Sequence, residues 1–149
     1  MPTLVRMSEA TGLALHAATY LATQPGRHVP VTELTRACRA SGDHMTKVCQ
    51  RLVRAKLFKG RRGQGGGLSL AKPAASIRLA AIYQLFEGPL SGPDCLLRRS
   101  VCEGQKAGQC VFSQDLRPIH AQIKRYLRST TLAAVAARCR HPHAPRKPS

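Results

Sequence analysis

Apolar residues recur at helical spacing along most of the chain. Leu13, Ala17, Tyr20 and Leu21 mark a first helix, with Ser8 placed to cap its start and Pro25-Gly26 to end it near Ala22. Leu34, Ala37 and Cys38 form a short second stripe, and Met45, Val48, Cys49 and Leu52 a third. Ser41-Gly42 lies between them as a tight break and a cap. Helix, short turn, helix is the helix-turn-helix pattern. The period then changes. Leu57-Phe58 and Leu68-Ser69-Leu70 read as two short strands around a glycine-dense turn, "KGRRGQGGG", which predicts a hairpin wing. Leu79, Ile82, Leu85 and Phe86 restore helical spacing up to Gly88. Leu116, Ile119, Ile123, Tyr126 and Leu127 predict a longer amphipathic helix whose seam suits a second subunit. Pro118 must lie near its start or kink it. "STTLAAVAARC" predicts a last short helix capped near Thr130.

The expected fold is therefore mainly α: a winged helix-turn-helix with a small β-hairpin wing and a long C-terminal dimerisation helix. The expected organisation is a DNA-binding domain over 1–88, a loop over 89–112, the dimerisation and last helices over 113–138, and a tail over 139–149. The tail, "CRHPHAPRKPS", is basic and proline-rich, a composition that favours disorder.

Charge gives the pattern a partner. The chain carries 24 Lys and Arg against 7 Asp and Glu, a net charge of +17, with a pI near 10.9. Such an imbalance points to a polyanion. Between Lys47 and Arg62 stand seven bases and no acid: Lys47, Arg51, Arg54, Lys56, Lys59, Arg61 and Arg62. They run from the presumed recognition helix into the wing, as phosphate contact requires. Asp43, His44, Thr46 and Lys47 at the front of that helix are candidates for reading base edges, and Arg51 for a further DNA contact. Arg61 or Arg62, with Gln64 beside them on the thin wing, is a candidate for the minor groove. The plainer alternative is a solvated basic face.

Three of the six cysteines fall in "CLLRRSVCEGQKAGQC", residues 95–110. Cys95, Cys102 and Cys110 have six and seven residues between them, whereas zinc sites place cysteines in close pairs. Thiolates at loop-length spacing suit an iron–sulfur cluster, whose irons favour soft sulfur ligands. Gly104 and Gly108 let a loop wrap a compact object, and Arg98, Arg99 and Lys106 offset negative charge. A metal-free thiol switch is the alternative, because nearby bases lower a thiol pKa. Cys38 and Cys49 sit on apolar stripes and read as core thiols, Cys139 as a tail thiol.

These pieces together resemble the IscR/NsrR/RirA family of bacterial winged-helix regulators. The resemblance rests on "TGLALHAATYLA", "HMTKVCQRLVRAKLFKGRRGQGGGLSLAKPAASIRL", "FEG", the three spaced cysteines and "TTLAAVA", and covers roughly residues 7–137. "HMTKVCQRL" and "AKPAASI" lean towards the nitric-oxide-sensing NsrR branch. The resemblance implies a homodimer carrying two winged helices onto a partly palindromic operator in double-stranded DNA. It also implies a 2Fe-2S or 4Fe-4S cluster near the dimerisation helix.

Three cysteines leave one cluster ligand to find. Some members of the family use a histidine three residues after the third cysteine, where Ser113 stands here. NsrR-like members use an aspartate on the first helix, at the position matched by Gly12. One turn further lies His16, where another branch places a histidine, and Glu9 lies near the helix start. His16 is the candidate, against the plain alternative of a half-buried packing histidine; water or a small thiol is also open.

No carboxylate pair, nucleophile motif or phosphate loop stands in the sequence, so an enzyme is not expected. "GQGGG" follows a strand but opens no helix of a nucleotide site. "GLALHAATYLA" is too interrupted, by His16 and the preceding Glu9, to serve as a signal-peptide core. A cytoplasmic protein with reduced cysteines and no membrane association follows. The expected function is a cluster-dependent transcriptional regulator, a repressor, sensing nitric oxide, redox state or iron. The alternatives are a metal-free thiol-switch regulator, and a constitutive basic nucleic-acid-binding protein.

Overall fold

The computed structural model describes residues 7–90 and 111–139, with side chains from residue 114 onward in the second segment. The cysteine segment 95–110 and the tail from residue 140 lie outside the described residues. Helices α1 (Glu9–Ala22), α2 (Val31–Ala37) and α3 (Gly42–Arg54) precede strands β1 (Phe58–Arg61) and β2 (Gly67–Leu70). A 3-10 turn over Ala74–Ser76 leads to α4 (Leu79–Glu87), and α5 (Val111–Ser129) and α6 (Leu132–Arg138) complete the chain.

The core forms where the predicted stripes meet. Ala14, Ala17, Ala18, Tyr20 and Leu21 of α1 are buried beside Leu34 of α2, the Met45, Val48, Cys49 and Leu52 stripe of α3, and Ile82 of α4. α1 is buried on most of its circumference, which its alanines permit by letting neighbours approach closely. α6 returns to this body. Leu132 is fully buried, its amide donates to the Ile77 carbonyl at 2.9 Å, and Thr131 caps the helix by accepting from the Ala134 amide at 3.2 Å.

Ser8 and Ser41 cap α1 and α3, accepting from the Thr11 and His44 amides at 3.2 and 3.3 Å. The ends of α2 and α3 use a device that their residues conceal. Arg39 (φ 51°) and Lys56 (φ 57°) take the left-handed conformation that glycine usually supplies. The Ala40 amide then reaches the Thr35 carbonyl, and the Leu57 amide the Leu52 carbonyl, both at 3.0 Å. The tight break of the helix-turn-helix is thus made at Arg39, with Ser41 serving α3.

The wing is a two-stranded antiparallel hairpin pairing Phe58 with Leu70 and Arg61 with Gly67. It has a root the pattern did not reveal: Val29 bridges Leu68, with N–H···O bonds of 2.8 Å in both directions. Gly67 is obligatory there, since a Cβ at φ +148° would come within 2.5 Å of the Val29 carbonyl. α5 runs unbroken through Pro118, which lies in the body of the helix rather than near its start. The ring lacks the N–H that would bond the Gln114 carbonyl.

Candidate nucleic-acid interface

α3 has three distinct sides. Its buried side is the apolar stripe. Its open side carries Asp43, the adjacent Thr46 and Lys47, Gln50 and Arg54, all exposed and returning to one face at three- and four-residue steps. Gln50 is the residue sequence reasoning passed over, although it lies one turn from Thr46. Arg61, Arg62 and Gln64 are exposed at the tip of the wing, and all seven bases of the Lys47–Arg62 run reach solvent. One open helix side and one thin hairpin thus both present basic residues to solvent.

The third side of α3 carries His44 and Arg51, two turns apart. Neither simply points outward. The Arg51 guanidinium donates to the Leu85 carbonyl at 2.6 Å and stacks 4.4 Å from the Phe86 ring centroid. His44 Nδ1 lies 3.8 Å from Glu9 Oε1 at the start of α1. Both belong to the expected DNA-reading set, and both lean on the corner where α1 begins and α4 ends.

That corner is itself bonded together. Glu87, the last residue of α4, accepts from the Ser8 amide at 2.8 Å, from the Ser8 hydroxyl at 2.5 Å and from the buried Thr11 hydroxyl. A carboxylate suits the positive end of α1. On the far side of α1, Tyr20 donates to Glu33 at 2.7 Å and Arg27 grips the same carboxylate bidentately, both bonds 2.7 Å. The Arg27 guanidinium holds the Glu33 carboxyl below the usual carboxylate range, against the opposing effect of burial. Burial and the Glu33 carboxylate together push the Tyr20 hydroxyl up.

The thiols divide as well. Cys49 is buried and Cys38 half-buried, and desolvation raises both, Cys49 to about 11 with a contribution from nearby Cys38. They are neutral thiols at physiological pH and poor metal ligands, as core residues should be. Among the described residues no cluster of three His, Cys, Asp or Glu could hold a metal ion. Cys95, Cys102 and Cys110 are outside the described residues. His16 is exposed on α1 in the single chain. Glu9 is exposed too, and Gly12 has open space around it.

α5 buries Leu127 and leaves Ile119 and Tyr126 about half exposed, at 51% and 49%. Among the described residues no helix is long and apolar enough to cross a membrane.

Solved structures share this architecture. The *Bacillus subtilis* global cysteine regulator CymR (YrzC) superposes with a TM-score of 0.75 at 23% identity, over 91% of this chain and 98% of that one. IscR of *T. potens* gives 0.67 at 20% identity, over 90% and 88%. The oxidized form of *Staphylococcus aureus* CymR gives 0.68 at 22% identity, over 89% and 96%. At such identities the likeness shows the fold. The sequence itself goes further: residues 7–138 match the family described as "Rrf2: Iron-dependent Transcriptional regulator". The chain belongs to the Rrf2 family of winged-helix transcriptional regulators and is not an enzyme.

Proposed function

We propose that this chain is an iron–sulfur-dependent repressor that binds a partly palindromic operator as a homodimer in the cytoplasm. The observation that carries the reading is the exposed basic edge formed by α3 and the wing in an Rrf2-family chain, followed between α4 and α5 by three spaced cysteines. Asp43, Thr46 and Lys47 read base edges from the open side of α3, with Gln50 beside them. Arg61, Arg62 and Gln64 serve the backbone and minor groove from the wing. The half-exposed Ile119 and Tyr126 of α5 provide the apolar seam between subunits.

Cys95, Cys102 and Cys110 hold the cluster through soft thiolates, and exposed His16 is the candidate fourth ligand. When bound, such a cluster supplies a centre reactive towards nitric oxide, oxygen or electrons and dependent on iron supply. The protein's part is to tie the segment after α4 to the placement of α3, so that its state biases DNA-competent dimers.

Anaerobic purification tests this. The expected product is coloured and carries iron and acid-labile sulfide. Cys102→Ala removes both, and His16→Ala keeps fold and dimer but alters the spectrum or cluster lifetime. A metal-free thiol switch is the second reading, favoured by the likeness to a CymR solved in an oxidized form. It is selected by a colourless, iron-free anaerobic sample whose DNA affinity still changes with a hydroperoxide.

A further inference from the structure

The three sides of α3 do not share one task. Arg51 is one of the seven bases that sequence alone assigns to DNA. Its guanidinium instead donates to the Leu85 carbonyl at 2.6 Å and lies over the Phe86 ring at 4.4 Å. Those two residues form the last turn of α4, where carbonyl groups lack helical partners and the helix end is negative. A planar cation that donates to a carbonyl and stacks on the adjacent ring meets both demands at once. His44, two turns earlier on the same side, lies 3.8 Å from Glu9. Glu87, next after Phe86, accepts from Ser8 and Thr11 at the start of α1. The recognition helix, the start of α1 and the end of α4 therefore close a ring of polar contacts. Eight residues after Glu87 comes Cys95.

We infer that Arg51 is a positioning residue rather than a DNA contact: through Leu85 and Phe86 it fixes the recognition helix to the end of α4, from which the cysteine segment departs. The open side of α3, with Thr46, Lys47 and Gln50, faces DNA, while the Arg51 side sets the angle at which that face is offered. This deepens the proposed function, because the same joint carries the state of the cysteine segment to α3. The assignment of Arg51 to the joint stands on the described contacts alone.

Substitution with lysine separates the two roles. A phosphate contact tolerates lysine, which keeps the charge; a stacked, carbonyl-bonded guanidinium does not. On a mixed-sequence duplex, Arg51→Ala and Arg51→Lys are each expected to weaken binding by about three- to tenfold, the scale of a lost cation–π pair. The dependence of log affinity on log salt stays unchanged, whereas Arg62→Ala on the wing lowers that slope by about one. Phe86→Leu keeps apolar bulk but removes the ring face. It should weaken wild-type binding similarly and have little further effect in the Arg51→Ala background. Circular dichroism melting confirms that each variant folds. The inference is overturned if Arg51→Lys binds like wild type while Arg51→Ala lowers the salt slope by about one. It is equally overturned if Arg51→Ala changes nothing, or if its effect simply adds to that of Phe86→Leu. In cluster-loaded protein, Arg51→Ala should also shrink the affinity difference between loaded and stripped dimers. If wild type shows no such difference, cluster dependence fails while the lysine and salt results still decide the role of Arg51.

Discussion

α3 and α5 are both amphipathic helices with one side packed on the body, and they differ in what they leave outside. α3 turns Asp43, Thr46, Lys47, Gln50 and Arg54 to solvent; α5 leaves Ile119 and Tyr126 about half exposed. A charged open side is at ease in water and waits for a polyanion. An apolar one, with Ile119 and Tyr126 two turns apart, is what the proposed contact with a second subunit would use. The exposed side of a helix thus names its partner more clearly than the buried side, which in both cases reports only the fold.

The largest effect is expected at α5. Ile119→Asp combined with Tyr126→Asp should convert the dimer to folded monomer, read by sedimentation. Operator affinity should fall about a hundredfold or more, since the second half-site is no longer bound in the same event. A dimer that survives both changes would remove α5 from the interface. On α3, Lys47→Ala or Thr46→Ala should cost about 1–3 kcal/mol against the preferred base pair and reorder preference among operators, measured by competition binding. A uniform loss over all sequences would make these phosphate contacts.

Changing the polar tie between α1 and α2 should act on stability without altering the open side of α3. Glu33→Gln removes the carboxylate that Arg27 grips and Tyr20 bonds. A loss of about 1–2 kcal/mol is expected at neutral pH, after discounting for the exposure of Arg27. The Glu33 carboxyl titrates below its ordinary range in the folded state, so its contribution is present above that range and is lost as pH falls through the folded value. The variant should therefore show a shallower decline of melting temperature in acid. On the wing, Arg62→Ala should reduce the salt slope by about one and weaken binding several-fold, leaving sequence preference alone. The smallest effect belongs to Lys56→Gly. It frees the left-handed position and should stabilise the fold by about 1 kcal/mol, read from thermal melts.

The apolar stripes of α1, α3 and α4, and the caps at Ser8 and Ser41, were legible because periodicity and capping are local. The wing was legible from its glycines, but its bridge to Val29 was not, since one strand residue leaves no pattern. Arg39 and Lys56 hid the ends of two helices, because neither is the glycine that usually marks a left-handed stop. Arg51 reads as one base among seven; only the packing of α3 against α4 gives it a ring and a carbonyl to meet. Pro118 suggested a helix start or a kink, and it lies within α5, which begins at Val111, not at its start. The cysteine spacing was plain in the sequence, but Cys95, Cys102 and Cys110 fall outside the described residues, and their ligation of a cluster is proposed from thiolate chemistry and the family.

The most direct test of the account is the affinity of one anaerobic preparation for operator duplex, measured before and after its cluster is removed by a chelator, with the dimer verified in both states. The expected preparation is a coloured dimer containing iron and sulfide whose affinity changes at least about tenfold on stripping, an allosteric coupling of ordinary size. An iron-free dimer, or equal affinity in the two states, would contradict it.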